Sequence, residues 1–211
     1  MDMIAAADEM LSRGCALSGL HDFVWSVMAA AVRESGHPWS YGSVSTVAKL
    51  SDDTFAPRSR IVILRGVEPT SRSLDFYTDV RSAKVDEIAE ASRVSWLFYD
   101  VESKIQLRLE GTAEIVEGAI ADAAWQATTL ASRAAYLSIT RPGNRVSSEV
   151  PPDVSDRSTS LEDSERGRLS FRVVRTTVQR LDWLYLREAG HVRAEIEYDQ
   201  NGTPTAHWLV P

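Results

Sequence analysis

The chain carries one cysteine, Cys15, in 211 residues. A single thiol excludes an internal disulfide and fits a reducing compartment, so a cytoplasmic location is the expectation. With no basic neighbour to activate it, Cys15 reads as a small buried apolar residue. Positive charge is also scarce, since 23 Lys and Arg against 30 Asp and Glu leave a net charge of −7. That balance argues against sequence-independent binding to nucleic acid and against docking on anionic membranes. Long apolar runs are absent. The longest, Val24 to Val32 with one serine, falls far short of the roughly 20 residues of a membrane span. Acids stand near the N-terminus where a signal peptide would carry Lys or Arg, so no targeting segment is expected. Of the four histidines, His21, His37 and His207 lack metal-ligand spacing and read as structural or surface groups, and no metal site is expected.

What is present is the patterning of one globular domain over residues 1–211, with an N-terminal arm or helix at 1–17 and a long loop at 138–167. Leu20, Phe23, Val24, Val27, Met28, Ala31 and Val32 recur at the helical period, with Ser18 as a plausible cap and Gly36 and Pro38 as the stop. Strands are expected at Tyr41 to Leu50, Arg58 to Val67, Leu74 to Thr78, Val94 to Val101, Ile105 to Val116 and Phe171 to Leu186, with further strands after Gly190. In Ile105 to Val116, Ile105, Leu107 and Leu109 alternate with Gln106, Arg108 and Glu110, which predicts a strand with one buried face. A short crossover helix is expected over Ser82 to Ala91 and an alanine-rich one from Gly118 to about Leu137. Many short strands joined by turns predict a mainly β fold of α+β type, an antiparallel barrel closed or nearly closed, with peripheral helices.

The chemistry gathers between Arg60 and Gly111. Arg60-Ile-Val-Ile-Leu-Arg65 is an apolar run bracketed by guanidinium groups. Phe76-Tyr77-Thr78-Asp79 closes a strand, and Ser82-Ala83-Lys84 opens a helix. Guanidinium, hydroxyl and ammonium donors at element ends suit a phosphate monoester, at roughly 1.5–3 kcal/mol per charge-assisted contact. A helix N-terminus adds free backbone N–H groups.

With Ile105-Gln106-Leu107-Arg108-Leu109-Glu110-Gly111, and with Trp183 ten residues before Arg193 in His191-Val192-Arg193, these motifs resemble the pyridoxamine 5'-phosphate oxidase-like proteins. That family has the FMN-binding split-barrel fold. The resemblance covers roughly residues 20 to 211 and looks more like the oxidase-related branch. It implies a homodimer with FMN in the interface clefts and a small-molecule substrate. It places Arg60, Lys84, Thr78 and Ser82 at the FMN phosphate, with Tyr77 and Arg65 beside them. The backbone of Ile61, Val62, Ile63 and Leu64 lies along the isoalloxazine ring, and Gln106 bonds its polar edge. Trp183 and Arg193 reach in from the other subunit. Arg65, Tyr136, Arg141 and His191 are the implied substrate contacts. The chain departs from the pattern at Ala83, where the family has arginine and for which Arg81 is a candidate substitute. It departs also at Arg65 for lysine, at Ala189 for arginine, and in one extra residue between Tyr136 and Arg141-Pro142. The implied activity is FMN-dependent oxidation with hydride transfer from substrate to flavin N5. The alternative is a non-catalytic flavin store or sensor.

Overall fold

A computed structural model describes residues 3–12, 17–146 and 160–211. Cys15 and the centre of the expected long loop lie outside the described residues. Two helices, α1 (Met3–Ser12) and α2 (Leu17–Arg33), lead into a 3₁₀ turn, Pro38–Ser40, and strand β1 (Tyr41–Lys49). Ser18 lies inside the first turn of α2 rather than at its cap. Then come β2 (Phe55–Ile63), β3 (Gly66–Glu68), β4 (Ser73–Asp79), α3 (Ala83–Glu90), β5 (Arg93–Asp100) and β6 (Ile105–Val116). Three short helices follow, α4 (Ala119–Ala127), α5 (Leu130–Arg133) and α6 (Leu161–Glu165), with 3₁₀ turns at Ala134–Tyr136 and Arg166–Leu169. Strands β7 (Phe171–Tyr185), β8 (Val192–Tyr198) and β9 (Pro204–Leu209) end the chain.

All strands pair antiparallel in one sheet ordered β2-β1-β5-β6-β7-β4-β3, with β8 on β7 and β9 on β8. The sheet curls without closing, because β2 and β3 are the two ends of that path. This is the expected split-barrel form, open rather than fully closed. The β7 strand holds the two halves together. Its first part pairs with β4, its second with β8, and most of its length, from Val173 to Tyr185, with β6. The β6–β7 ladder shifts register between Glu110 and Gly111. A Cβ at Gly111 would stand 2.0 Å from the carbonyl oxygen of Thr177, so only glycine admits this close approach.

The core lies inside the curl. Trp96 stacks on Phe98 at 5.5 Å between centroids, Phe76 meets Trp96 edge-on at 5.6 Å, and the Trp96 indole donates to Thr176 Oγ1 at 3.0 Å. Each such ring contributes about 1.5–3 kcal/mol through burial. A second apolar cluster, Ala121, Trp125, Phe171 and Val173, sits under α4 with Tyr77 and Tyr136 against it. This cluster fixes one wall of the functional cavity.

Two expected elements are divided. The strand foreseen over Arg58 to Val67 breaks at Leu64 and Arg65, where the chain changes partners. The Leu64 N–H donates to Ser40 and the Arg65 N–H to Asp75. The alanine-rich helix stops at Thr128, because Thr129 turns out of the helix and caps α5 by accepting from the Ser132 N–H. A Ser or Thr side chain that bonds nearby backbone competes with helix continuation.

Candidate functional site

A cavity of about 330 Å³ opens between β2, β4, α3 and the α5 region. Its lining includes Arg60, Ile61, Val62, Ile63, Arg65, Tyr77, Lys84 and Tyr136, all expected from the sequence, together with Ser132 and Ala135. Alternation along β4 sends Phe76 into the core and Tyr77 toward the cavity.

At one end sits a cradle of donors. Lys84 Nζ lies 3.1 Å from both Thr78 Oγ1 and Ser82 Oγ, which are 3.0 Å from each other. Ser82 is the N-cap residue of α3, yet its side chain makes no capping bond. The hydroxyl is turned to Thr78 and Lys84, and the first turn of α3 keeps backbone donors for a ligand. Burial holds the Lys84 ammonium below its usual range, and the neighbouring Arg60 charge adds to this. An anion would relieve both effects.

Arg60 is held from behind. Its Nη2 donates to Glu87 Oε2 at 2.9 Å, and its Nη1 donates to Thr46 Oγ1. Arg58 approaches the same carboxylate at 3.4 Å. Glu87 is buried, and sequence reasoning missed it. The available signal was an acid beside Val85 and Ile88 on the buried side of a short helix. Arg133 was also missed. Its guanidinium, 3% exposed, donates to the Trp125 and Thr128 carbonyls and to Glu165 Oε1, pinning the segment that carries Ser132, Ala135 and Tyr136.

At the other end stand Arg65, Tyr77 and Tyr136. The Arg65 guanidinium lies 5.7 Å from the Tyr77 ring centre. Both tyrosines pack edge-on against Phe171, at 4.8 and 5.1 Å. Burial pushes the Tyr136 phenol up to about 12 and raises that of Tyr77. Both therefore stay neutral hydrogen-bonding groups at physiological pH.

Other expected residues lie elsewhere. Leu64 is buried in the core, because the partner change at Leu64 and Arg65 turns it inward. Arg81 forks onto Asp79 at 2.9 and 2.6 Å, so it does not replace the guanidinium missing at Ala83. Arg141 is paired with Asp86, and His191 is exposed in the β7–β8 turn; neither lines the cavity. Trp183 is wholly buried in the core. Strand alternation puts Leu181, Trp183 and Tyr185 inside, and Asp182 and Leu184 outside. The outward residue paired with both Gln106 and Arg193 is Leu184. Assigning Trp183 to a neighbouring subunit's flavin is a one-residue slip of face.

Gln106 and Arg193 do share the outer face of the sheet, where two charge clusters meet. Arg193 forks onto Asp182 at 3.1 and 2.7 Å, and Arg108 reaches the same carboxylate at 2.6 Å. Burial favours the neutral acid, but the Arg193 hydrogen bond and the Arg108 charge hold Asp182 below its ordinary range. Beside it, Arg180 lies between Glu195 at 2.5 Å and Glu110 at 3.6 Å. Tyr41, Ile61, Leu97 and Tyr99 are exposed hydrophobic residues on β1, β2 and β5.

A split, curled antiparallel sheet with a cradle of cationic and hydroxyl donors on its flank is the form of a cofactor-binding split barrel. The donor set of Arg60, Lys84, Thr78 and Ser82 fits the phosphate of FMN, and Ile61, Val62 and Ile63 of β2 line the same cavity. Residues 23–117 match the family model described as "Pyridoxamine 5'-phosphate oxidase, FMN-binding domain". Over residues 23–117 the chain is similar to this FMN-binding domain, which indicates FMN as the cofactor. It is 26% identical over 179 residues to pyridoxine/pyridoxamine 5'-phosphate oxidase 2 of Arabidopsis thaliana, covering 80% of this chain and 86% of that protein. It is 35% identical over 77 residues to the oxidase of Thermosynechococcus vestitus, a match spanning only 36% of either chain. Among solved structures, a pyridoxamine 5'-phosphate oxidase-related, FMN-binding protein of Nostoc punctiforme has a TM-score of 0.66 at 20% identity, covering 88% of this chain and 95% of that one. PhzG of Burkholderia lata, in complex with tetrahydrophenazine-1-carboxylic acid, has a TM-score of 0.62 at 20% identity, covering 92% and 91%. These structural likenesses establish the fold. Among the described residues no helix is long and apolar enough to cross a membrane, and no group of three or more His, Cys, Asp or Glu could hold a metal ion.

Proposed function

We propose that the protein is an FMN-dependent oxidoreductase acting on a small anionic substrate. The observation that carries the reading is one cavity with a cradle of donors at one end and, at the other, the Arg65 cation, which no carboxylate among the described residues pairs. One end suits the cofactor's phosphate and the other a second anion on the substrate. Bound FMN would supply a hydride acceptor at flavin N5. The chain's own part is to fix Arg60 through Glu87 and Thr46, to offer Lys84 and the two hydroxyls, and to hold substrate between Arg65 and the aromatic wall. Among the described residues no side chain at the cavity is arranged as a nucleophile and base. The residues therefore act by binding and orientation.

The working form in this proposal is a homodimer, formed through the outer sheet face. The Arg108–Asp182–Arg193 side of this network carries one net positive charge and the Glu110–Arg180–Glu195 side one net negative charge, the two joined by Arg108 and Glu110 at 3.4 Å. Two copies related by a two-fold axis can oppose them. Exposed Ile61 and Leu97 add apolar area, and Arg193 of a second copy would approach the flavin. A cytoplasmic setting follows from the lone cysteine. The absorption spectrum of the purified protein tests the cofactor. Anaerobic titration with candidate reduced substrates tests the activity, with bleaching of the flavin as the expected result. If none bleaches it, the oxidoreductase reading falls and the store or sensor reading takes its place.

A further inference from the structure

The chemical class of the substrate can be read from the Arg65 end of the cavity; this rests on the flavin reading above, which commits the Arg60–Lys84 end to the cofactor. We propose that the substrate is a flat aromatic monocarboxylate, its carboxylate taken by the Arg65 fork with the Tyr136 hydroxyl, and not a phosphate monoester.

Charge counting is the first argument. Three cationic side chains line the cavity, Arg60, Lys84 and Arg65, and two of them are already engaged. Arg60 is bonded to Glu87, and Lys84 is tied into the phosphate cradle. Among the described residues no carboxylate bonds to Arg65. One free positive charge matches a monoanion, whereas a phosphate monoester carries about −1.5 to −2 at neutral pH and would bring charge without a counterion.

Donor geometry is the second. A guanidinium presents two parallel N–H groups that match the two oxygens of a carboxylate. The tyrosines give neutral hydroxyls rather than further cations. Shape is the third. Tyr77 and Tyr136, both set edge-on against Phe171, make an aromatic wall beside Arg65, which favours a planar ring over a flexible chain.

The test is calorimetric titration of the FMN-loaded protein with benzoate and with phenyl phosphate, ligands that share a ring and differ in the anion. The pH is held above the second phosphate pKa of about 6, so that phenyl phosphate is a dianion. Benzoate is expected to bind at least about ten-fold tighter, a difference of one charge-assisted contact. Arg65→Ala should remove that advantage. Arg65→Lys, which keeps the charge and loses the fork, should weaken benzoate several-fold and leave phenyl phosphate unchanged. Equal or tighter binding of phenyl phosphate, absence of benzoate binding, or an Arg65→Ala protein that binds benzoate like the parent would each overturn the proposal. The same titration on flavin-free protein separates the two readings. Failure to load FMN counts against the cofactor site, while the Arg65 result is still measured directly.

Discussion

Replacing Arg60 by alanine should weaken FMN binding and stability by two separable routes. The guanidinium lies at the phosphate end of the cavity with its side chain 23% exposed, anchored to Glu87 and Thr46. Loss of one charge-assisted contact to a phosphate costs about 1.5–3 kcal/mol. At 1.4 kcal/mol per decade that is a roughly 10- to 150-fold rise in Kd. The second route concerns the carboxylate left behind. Glu87, with its side chain 7% exposed, would keep the Thr46 hydroxyl at 2.5 Å and one bridging cation, Arg58 at 3.4 Å, itself 51% exposed and so screened. A stranded buried charge costs about 3–5 kcal/mol when wholly unpaired, and the remaining partners cut this to roughly 2 kcal/mol. Flavin fluorescence quenching measures the first effect and thermal unfolding the second. Riboflavin, which lacks the phosphate, is the control and should bind both proteins alike. Adding Glu87→Gln to Arg60→Ala should restore much of the stability and none of the FMN affinity. Equal losses for FMN and riboflavin, or full FMN affinity in Arg60→Ala, would refute the assignment of Arg60 to the phosphate.

Three further outcomes are expected. Gly111→Ala forces a Cβ to within 2.0 Å of the Thr177 carbonyl and should cost roughly 3 kcal/mol, the upper end of overpacking; an unchanged unfolding midpoint in denaturant would mean the bulge is not needed. His37 accepts from the Trp39 N–H through Nδ1, and burial lowers its pKa despite the opposing Glu34 and Asp100 charges. The native state thus prefers the neutral ring. This stability is complete above the unfolded value of 6.5 and is lost as pH falls from there through the lowered folded value. His37→Asn, which keeps a capping acceptor, should flatten that part of the stability–pH curve. Leu97→Glu places a charge on an exposed hydrophobic residue of the outer sheet face and should shift sedimentation toward monomer, while Trp183→Leu should lower stability and leave the oligomeric state alone; the reverse pattern would move the interface elsewhere.

What could be read in advance divides along the range of the forces involved. Strand β6 has the bounds its alternation predicts, Ile105–Val116, because a period of two with one apolar face is a local signal of burial. The donor cluster was legible for a related reason: Thr78, Ser82 and Lys84 sit at element ends, where turns bring donors together, while Arg60 lies inside β2. Glu87 was not legible as Arg60's anchor, since that contact joins α3 to β2 and no local pattern announces it. Two misses were avoidable. Ser160 with Asp163 three residues on is a helix-start signature, and Ser160 does accept from the Asp163 N–H to open α6 within the presumed loop. The alternation around Leu181-Asp182-Trp183 likewise carries its own answer. The acid must face outward to meet Arg108 and Arg193, so the indole must face inward. What no local pattern reveals is that β7 serves three partner strands. That sharing turns one long strand into the seam of a split barrel. It places the outward row of Gln106, Leu184 and Arg193, rather than Trp183, on the face through which we propose the dimer forms.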